Sequence, residues 1–462
     1  MRALIVCLAV LAATPGQAQE TTDPAYPTIL PLKQRAAVQD NWLRQRFDTV
    51  LPRLMRREGI DMWILIAREY NEDPVVETML PATWMSARRR TILIFHDTGE
   101  AVERMAVARY PVSDLFPKAW DPESQPDQWA RLRQIVQERD PERIGINISE
   151  RYALASGLSL SQSDGLREAL GDYAGRLVDA EALAIGWLET RTEAEMAVYP
   201  TIVRLAHAII AEGFSERVIT PGVTTAEDLV WWFRERVAEL RLDAWFHPSV
   251  HIQRPETATF EIESMSLSQN DPILPGDFLH VDFGITYLGL NTDTQHHAYV
   301  LKFGETDAPE GLKAGLAAAI RVQDALIAAF KAGRTGNEVL KIARQSAIEQ
   351  GLKPSIYSHP LGYHGHGAGP WIGAWDNQGG VPGGEFPVNA NTAWSIELNA
   401  RAPVPEWGGQ EVRFMTEEDA YFDGESVRFL DGRQTKLHLI PRPFQVSEPP
   451  ARAPVAAGGS QP

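Results

Sequence analysis

The sequence predicts two domains: an α/β domain, then a larger α+β domain whose two halves repeat the same order of elements. The chain has 462 residues, more than one ordinary hydrophobic core accommodates. Strand-like and helix-like segments alternate up to about residue 183, which is typical of an α/β domain. Beyond residue 193 the order helix, helix, strands occurs twice. This repetition indicates two pseudo-equivalent halves that face each other across a cleft.

The composition is that of a soluble globular protein with an acidic surface. Hydrophobic residues make up 44% and charged residues 23% of the chain, both ordinary proportions for such a protein. The formal net charge is -17, which disfavours nucleic acid and anionic membranes as partners.

The N-terminus predicts a secretory signal peptide over residues 1–18. A charged start at Arg2 precedes an apolar run over 3–13 that is too short to anchor stably in a bilayer. The small residues before and at Ala18 are consistent with cleavage there, although a buried N-terminal helix is the alternative. We therefore expect a secreted or periplasmic protein. Cleavage would remove the only cysteine, Cys7, and with it any disulfide or thiol chemistry.

The first domain is predicted to span residues 19–188. An amphipathic helix over 36–58 ends at Gly59, and helical pattern returns later up to about Leu183. Between them we expect strands at 62–66, 91–95, 105–108 and 144–148. The sequence of this first domain contains no cluster of potential metal ligands, so chemistry is expected in the second.

The second domain is predicted to span residues 189–445, with a disordered tail over 446–462 rich in proline, alanine and glycine. We expect a helix over 193–216, kinked at Pro200, and further helices at 225–240, 309–332 and 336–350. A strand pair follows each pair of helices, at 278–284 with 293–300 and at 393–399 with 412–422.

Two aspartates occupy the polar side of the first strand pair. In a strand the side chains of Asp282 and Val281 point to opposite faces, and a hairpin can bring Asp293 next to Asp282. Adjacent carboxylates repel each other, and a metal ion supplies the missing counter-charge. A solvated hairpin face with two unrelated acids remains the alternative for this pair alone.

Acids also occupy the polar side of the second strand pair. Glu397 alternates with Ile396 and Leu398. In the last strand, parity favours Glu417 over Glu418 as the inward acid, although a bulge would reverse that choice and Glu411 shares the face of Glu417.

A glycine-rich loop between these strands contains His359, His364 and His366. Each histidine alone could be structural, but glycines pack nothing and permit close backbone approach, so the loop is predicted to serve a site. Four carboxylates and one imidazole suit two hard divalent cations per chain. Mn²⁺ is favoured, and Zn²⁺, Co²⁺ or Fe²⁺ also fit this ligand set.

These residues resemble the motifs of the pita-bread metallopeptidases, which include aminopeptidase P, prolidase and methionine aminopeptidase. The resemblance covers about residues 190–445, and the preceding α/β domain resembles the creatinase-type domain of aminopeptidase P and prolidase. The family carries two aspartates eleven residues apart, here in Asp282-Phe283-Gly284 and Asp293-Thr294-Gln295. Its metal-binding histidine, followed after seven residues by a substrate-contacting histidine, matches His359 and His366. Its last two strands carry Ile-Glu and Glu-Glu-Asp, here Ile396-Glu397 and Glu417-Glu418-Asp419.

The resemblance implies a role for each matched residue. Asp293 and Glu417 would bridge two metal ions, Asp282 would bind one of them, and His359 with Glu397 the other. A metal-bridging water would attack the scissile amide, with Glu397 as general base. His366 would donate a hydrogen bond to the substrate or the developing oxyanion.

The sequence also departs from the family pattern in the substrate-binding positions. Relatives carry a substrate-contacting histidine near the position of Ser264 and Met265, and His247 or His251 could replace it only through a different loop path. We expect His366, His364 and Trp371 to contact substrate, and Trp371 with Trp375 could wall an apolar pocket or simply pack.

The sequence therefore predicts a metallopeptidase that hydrolyses the N-terminal amide bond of short peptides, with Xaa-Pro peptides as the expected substrates. One alternative is another enzyme on the same fold, such as a metal-free amide hydrolase or a metal-dependent lyase. The other is a protein that binds metal and peptide without turnover. Relatives often form dimers through the N-terminal domain, which makes a homodimer an expectation.

Overall fold

The structure, a computed structural model, describes residues 26–255 and 270–442. The predicted signal peptide 1–18 and tail 446–462 lie outside the described residues, as do Ser264 and Met265. Two sheets organise the described chain, one of five strands and one of nine.

The five-stranded sheet belongs to the first predicted domain and has the order β3-β2-β1-β4-β5. Its strands are β1 (Met62–Arg68), β2 (Arg90–Asp97), β3 (Val102–Val107), β4 (Ile144–Ile146) and β5 (Leu177–Asp179). Strand β1 pairs antiparallel with β2 and parallel with β4, so the sheet is mixed.

Helices cover both faces of this sheet, which explains the unbroken apolar run in β1. The helices are α1 (Leu32–Glu58), α2 (Pro74–Glu77), α3 (Gln128–Arg139), α4 (Leu160–Leu170) and α5 (Glu181–Glu189). Trp63 and Leu65 pack with residues of α1 and α5, whereas Met62 and Ile64 pack with residues of α3 and α4. A strand buried on both faces has no polar side. Gly59 ends α1 in the left-handed conformation with φ 61°.

The nine-stranded sheet has the central order β11-β13-β14-β10-β7-β6. Its strands are β6 (Ser249–Gln253), β7 (Phe278–Phe283), β10 (Thr294–Val300), β11 (Pro354–Ile356), β12 (His359–Leu361), β13 (Thr392–Val404), β14 (Gln410–Phe422), β15 (Val427–Phe429) and β16 (His438–Ile440). The short strands β8 (Thr286–Tyr287) and β9 (Leu290–Asn291) form a separate hairpin between β7 and β10.

Five helices within the described residues accompany this sheet, and its apolar face packs against the longer ones. They are α6 (Glu193–Met196), α7 (Tyr199–Gly213), α8 (Ala226–Glu239), α9 (Glu310–Ala329) and α10 (Gly336–Glu349). Residues of α7 and α8 cluster with Leu279 and Val281 of β7, and residues of α9 and α10 cluster with Ile396 of β13. The polar alternate positions of these strands therefore lie on the opposite face.

The expected helix over 193–216 is two helices, α6 and α7, rather than one kinked helix. Pro200 lies in the first turn of α7, where backbone N–H groups have no partner within the helix, so its missing N–H costs no hydrogen bond. By length and composition the segment Glu193–Gly213 could span a membrane, but its apolar residues include Ile202 and Ile209, which are buried in the core.

The two halves repeat in detail as well as in order. Thr225 caps α8 and Thr335 caps α10, each in a reciprocal capping box with an acid three residues on. Thr225 forms an isolated bridge with Pro272, and Thr335 forms the corresponding bridge with Pro387. Asp282 and Glu397 each stand ten residues after these prolines. The two acids therefore hold equivalent positions in the two halves.

A buried ion-pair network joins α1 of the first predicted domain to α6 of the second. Arg46 donates to the backbone oxygen of Thr190 at 2.6 Å and contacts Glu195 at 3.2 Å. Arg191 lies 3.7 Å from the same carboxylate, and all three charged side chains are fully buried. Burial opposes ionisation of Glu195, but Arg46 and Arg191 outweigh it and hold its pKa below the usual value.

Glu195→Ala is expected to lower the free energy of unfolding by about 3–5 kcal/mol, because it leaves two arginines buried without their counter-charge. Asp228→Ala is the matched control, since Asp228 completes the same kind of capping box on α8 without a buried arginine. That control should lose only about 0.5–2 kcal/mol. Urea unfolding of both variants measures the difference, and equal losses would contradict a stabilising role for the buried charges.

Candidate metal centre

Four carboxylates and one imidazole meet on the polar face of the nine-stranded sheet. Potential ligand atoms of Asp282, Asp293 and Glu417 lie within 4.8 Å of one another. The same limit holds for a second group, His359, Glu397 and Glu417. Glu417 belongs to both groups, so the two sets of potential ligands are adjacent and share one carboxylate.

Strand register produces this cluster by aligning one residue from each of four neighbouring strands. Glu397 of β13 lies directly opposite Glu417 of β14, which lies opposite Gln295 of β10. Gln295 in turn lies opposite Asp282 of β7. Directly opposed residues have Cβ atoms about 4.5–5.5 Å apart, and like charges at that spacing are destabilising. Asp293, immediately before β10, adds a further charge to this row.

Electrostatics in the cluster require a counter-charge. Burial raises the pKa of Asp282 to about 7. Burial and then repulsion from neighbouring carboxylates raise the pKa values of Asp293, Glu397 and Glu417 well above their usual range. Divalent cations relieve both effects, since they replace lost hydration and offset the repulsion.

His359 presents an unprotonated ring nitrogen to the carboxylates. Its Nδ1 lies 3.1 Å from the backbone oxygen of Pro360 and donates to it, which leaves a lone pair on Nε2. Nε2 lies 3.7 Å from one oxygen each of Asp293, Glu397 and Glu417. Burial and the neighbouring His366 lower the pKa of His359 to about 3, so the ring is neutral.

The residues of the cluster fit bound divalent cations. The Nε2 atom of His359 and Oδ1 of Asp282 are buried without a hydrogen-bond partner among the described residues. Carboxylate oxygens with a single imidazole are the ligands that hard divalent cations prefer. Which of these atoms bind metal, and how many ions they bind, stays a prediction.

A chain of buried histidines orients Gln295 within the cluster, and sequence analysis missed this arrangement. Gln295 Nε2 donates to Glu397 at 2.8 Å and to Glu417 at 2.6 Å. Its Oε1 lies 2.9 Å from His280 Nε2, and His280 Nδ1 lies 3.1 Å from His251 Nδ1. Because His280 donates to Gln295, both amide hydrogens remain directed at the carboxylates.

Alternation along β14 separates the two consecutive glutamates. Glu417 lies in the cluster, whereas Glu418 lies on the helix-covered face, 3.1 Å from His296 and 3.3 Å from His207. Burial opposes ionisation of Glu418, but these two histidines outweigh it and lower its pKa to about 2. The structure therefore places Glu417, the acid favoured by parity, with the other carboxylates of the cluster.

His366 lies between the cluster and solvent. Its ring centre is 4.6 Å from that of His359 and 5.4 Å from that of Trp245, and its side chain is exposed. Partial burial lowers its pKa. A side chain in this position can reach both the buried carboxylates and a bound molecule.

The other two residues expected to contact substrate have different surroundings. His364 lines a cavity of about 250 Å³ between the two predicted domains, together with Gln39 and Trp84. The ring of Trp371 lies near Gly383 and is 38% exposed. The other tryptophan after the glycine-rich loop, Trp375, has its ring near Tyr357, which in turn lies beside His359.

Two aromatic side chains that sequence analysis did not assign, Tyr357 and Trp245, lie beside the histidines of the site. Tyr357 lies 5.3 Å from His359 and 5.8 Å from Trp375, measured between ring centres. Arg413 lies 5.2 Å from the ring centre of Trp375. Trp245 packs so closely on Gly365 that a Cβ there would overlap its ring. This close approach explains why position 365 of the loop is glycine. The glycine was the sequence's one sign of a close neighbour here, and it did not identify Trp245.

The two histidines considered as substitutes for the family's substrate histidine have different surroundings. His247 is exposed beside Arg234, with its Nδ1 3.1 Å from the guanidinium, and His251 is buried against His280. The position near Ser264 and Met265 lies outside the described residues.

The sequence of residues 201–429 matches the model of metallopeptidase family M24. No curated protein matches the chain.

Solved structures share the fold across most of the chain. An X-Pro aminopeptidase from Thermotoga maritima superposes with a TM-score of 0.60 at 17% identity, covering 84% of this chain and 99% of that one. An Xaa-Pro dipeptidase from Bacillus anthracis gives 0.54 at 16% identity, covering 88% and 100%. A prolidase from Pyrococcus horikoshii gives 0.53 at 14% identity, covering 87% and 99%. At these identities the likeness shows the fold alone, and that fold is the pita-bread fold with a creatinase-like domain before it.

Proposed function

The chain belongs to metallopeptidase family M24 through residues 201–429 and is a metallopeptidase; from this premise we propose that it hydrolyses the N-terminal amide bond of short Xaa-Pro peptides. The aligned row of Glu397, Glu417, Gln295 and Asp282 carries the proposal, because it gathers buried acids that need divalent cations. Aminopeptidase and dipeptidase structures with the same fold support the peptide substrate class.

Two cations are proposed to share Glu417. Asp282, Asp293 and Glu417 would hold one, and His359, Glu397 and Glu417 would hold the other. When bound, divalent cations supply Lewis-acid chemistry that lowers the pKa of water and polarises a substrate carbonyl. Because oxygen ligands predominate, Mn²⁺ is the proposed metal.

Glu397 is the proposed proton acceptor. Gln295 Nε2 donates a hydrogen bond to Oε1 of Glu397 at 2.8 Å. The other carboxylate oxygen, Oε2, is then available to take a proton from the attacking water. The water oxygen forms the new bond to the amide carbon, and the carbon–nitrogen bond breaks. The proton held on Oε2 then passes to the leaving nitrogen.

His366 is the proposed hydrogen-bond donor to the substrate. Its lowered pKa keeps the ring neutral near pH 7, and a neutral imidazole still carries one N–H. Its position beside His359 supports donation to the carbonyl oxygen that gains charge during attack.

The surroundings of the site support small peptides as substrates. Trp245, Tyr357 and Trp375 offer apolar ring faces on which a proline ring could pack. The charge of Arg413 near Trp375 suits the carboxylate of a dipeptide or tripeptide. We further propose that residues 1–18 direct the protein to the periplasm or the exterior, and that the mature protein forms homodimers.

The test is metal content of the mature protein together with hydrolysis of an Xaa-Pro peptide library with and without Mn²⁺. We expect about two ions at the cluster and Mn²⁺-dependent release of the N-terminal residue. Asp293→Ala should lose both the metal and the activity. Metal binding without any peptide cleavage would contradict the peptidase proposal, and product analysis would then show whether a lyase or another amide hydrolase is present.

His366→Ala separates the substrate contact from metal binding. Loss of one donor to the developing oxyanion should lower kcat by about 10²–10³-fold. Metal content should stay unchanged, because His366 is outside the proposed ligand set. Loss of metal in this variant would instead make His366 a ligand.

A further inference from the structure

A second cluster of potential metal ligands lies on the helix-covered face of the nine-stranded sheet. It consists of His207 of α7, His296 of β10 and Glu418 of β14, whose potential ligand atoms lie within 4.8 Å of one another. His296 follows Gln295 and Glu418 follows Glu417, so alternation turns both side chains away from the catalytic cluster. None of the three belongs to the ligand set of the proposed reaction.

Two distances in this cluster match the separation of neighbouring ligands in a tetrahedral metal site. His207 Nε2 lies 3.3 Å from Glu418 Oε2, and His296 Nε2 lies 3.1 Å from Glu418 Oε1. Zinc bonds of about 2.0–2.1 Å place neighbouring tetrahedral ligands about 3.3 Å apart. Each imidazole therefore lies at ligand-to-ligand distance from one oxygen of Glu418.

Both imidazoles are oriented by groups on their outer nitrogens. His207 Nδ1 lies 3.2 Å from Asp431, which Arg204 holds at 2.9 Å. His296 Nδ1 lies 3.3 Å from His438 Nε2. Metal-binding histidines characteristically donate their other N–H to such a partner, which directs the remaining lone pair at the ion.

The inner atoms of the cluster lack other partners. His207 Nε2 and Glu418 Oε2 are buried and face each other at 3.3 Å, and neither makes a hydrogen bond to any other described residue. Glu418 Oε1, in contrast, accepts the backbone N–H of Gln434 at 2.6 Å. One carboxylate oxygen is thus anchored, and the other faces the ring nitrogen of His207.

We propose that His207, His296 and Glu418 bind a further divalent cation of the zinc type, with Asp431 and His438 orienting the two imidazoles. Two nitrogens and one oxygen suit Zn²⁺, in contrast to the oxygen-rich catalytic cluster. The side chains of His207 and Asp431 are 16% and 15% exposed, which gives the ion a route from solvent. This proposal is independent of the proposed peptidase function.

The ion would reinforce the junction between the two halves of the sheet. In the described chain, β10 and β14 are paired at a single position, Gln295 opposite Glu417. The proposed site lies directly behind that position and connects β10 and β14 to α7. A cation there would therefore hold β10, which Asp293 precedes, against β14, which carries Glu417.

Zinc binding is measured in an Asp293→Ala/Glu397→Ala background, which removes two carboxylates from the catalytic cluster. Equilibrium dialysis should find about one Zn²⁺ per chain, and adding His207→Gln should weaken its binding by at least about 100-fold. His247→Gln is the matched control, since His247 is an exposed histidine beside Arg234, and it should leave binding unchanged. Absence of zinc in the background variant would overturn the proposal.

Anomalous diffraction from zinc-loaded crystals of the unsubstituted protein provides a measurement that does not depend on folding of the variants. A peak is expected between His207 Nε2, His296 Nε2 and Glu418, in addition to any at the catalytic cluster. If the histidines are simply protonated partners of Glu418, no peak will appear there and the proposal fails.

Discussion

Glu417→Gln is expected to lower kcat/KM by about 10³-fold or more and to reduce metal content at the catalytic cluster. Glu417 is the carboxylate that both groups of potential ligands share, so its loss affects both proposed ions. The substitution keeps the size of the side chain and replaces an anionic oxygen with an amide. Metal analysis and peptide hydrolysis, both with added Mn²⁺, measure the two effects.

The same substitution should stabilise the metal-free protein near pH 8, because it removes one charge from a row of mutually repelling acids. A residue with a merely structural role would instead lose stability. Glu411→Gln is the matched control, since Glu411 lies on β14 with the same alternation but pairs with Lys353 near the surface. It should change neither metal content nor activity, and loss of activity in that variant would point to a general defect of the strand.

Removing the metal ions is expected to abolish measurable activity and to make stability depend on pH. The pKa of Asp282 in the folded, metal-free protein is raised from 3.8 to about 7, and the other three carboxylates shift in the same direction. The folded chain then holds protons that the unfolded chain has already released above pH about 4. Stability therefore falls as the pH rises from about 4 through about 7.

The shift of Asp282 alone corresponds to about 4 kcal/mol, at about 1.4 kcal/mol for each pKa unit. Thermal unfolding should accordingly show a gap between the Mn²⁺-loaded and chelated protein on the order of 5–10 °C at pH 8. The gap should shrink towards pH 5, where protons replace the cations. Melting curves at pH 5, 6, 7 and 8 measure it, and a gap that is independent of pH would contradict the assignment of these acids.

Local pattern was enough to predict eight of the sixteen strands in the described residues, among them those of Asp282, Glu397 and Glu417. The strands from β1 to β4 and the pairs β7–β10 and β13–β14 occur where apolar alternation or apolar runs predicted them. Helix α1 ends at Gly59 as expected, because a left-handed glycine terminates a helix whatever the tertiary context. Among the helices expected in the second domain, the one containing Pro200 was the exception, since the sequence did not show whether Pro200 bends a helix or begins one.

Side-chain partners were less predictable than secondary structure. The sequence did not reveal that His280 and His251 orient Gln295, or that Trp245 covers Gly365. These contacts join residues from separate elements, and each depends on how a loop returns to the sheet. The ring of Trp371 lies near Gly383, and its contact with substrate stays a prediction.

The sequence by itself determined which face of each strand carries an acid, because alternation in a strand is local and has a period of two. It thereby favoured Glu417 over Glu418 and placed Asp282, Asp293 and Glu397 on polar faces, whereas His359 was chosen by its resemblance to the family motif. Only the tertiary structure decided that Glu397, Glu417, Gln295 and Asp282 stand in one row, and that Glu418 meets His207 and His296 on the reverse face. Cross-strand register and helix docking depend on packing between residues far apart in the chain, and no local pattern encodes them.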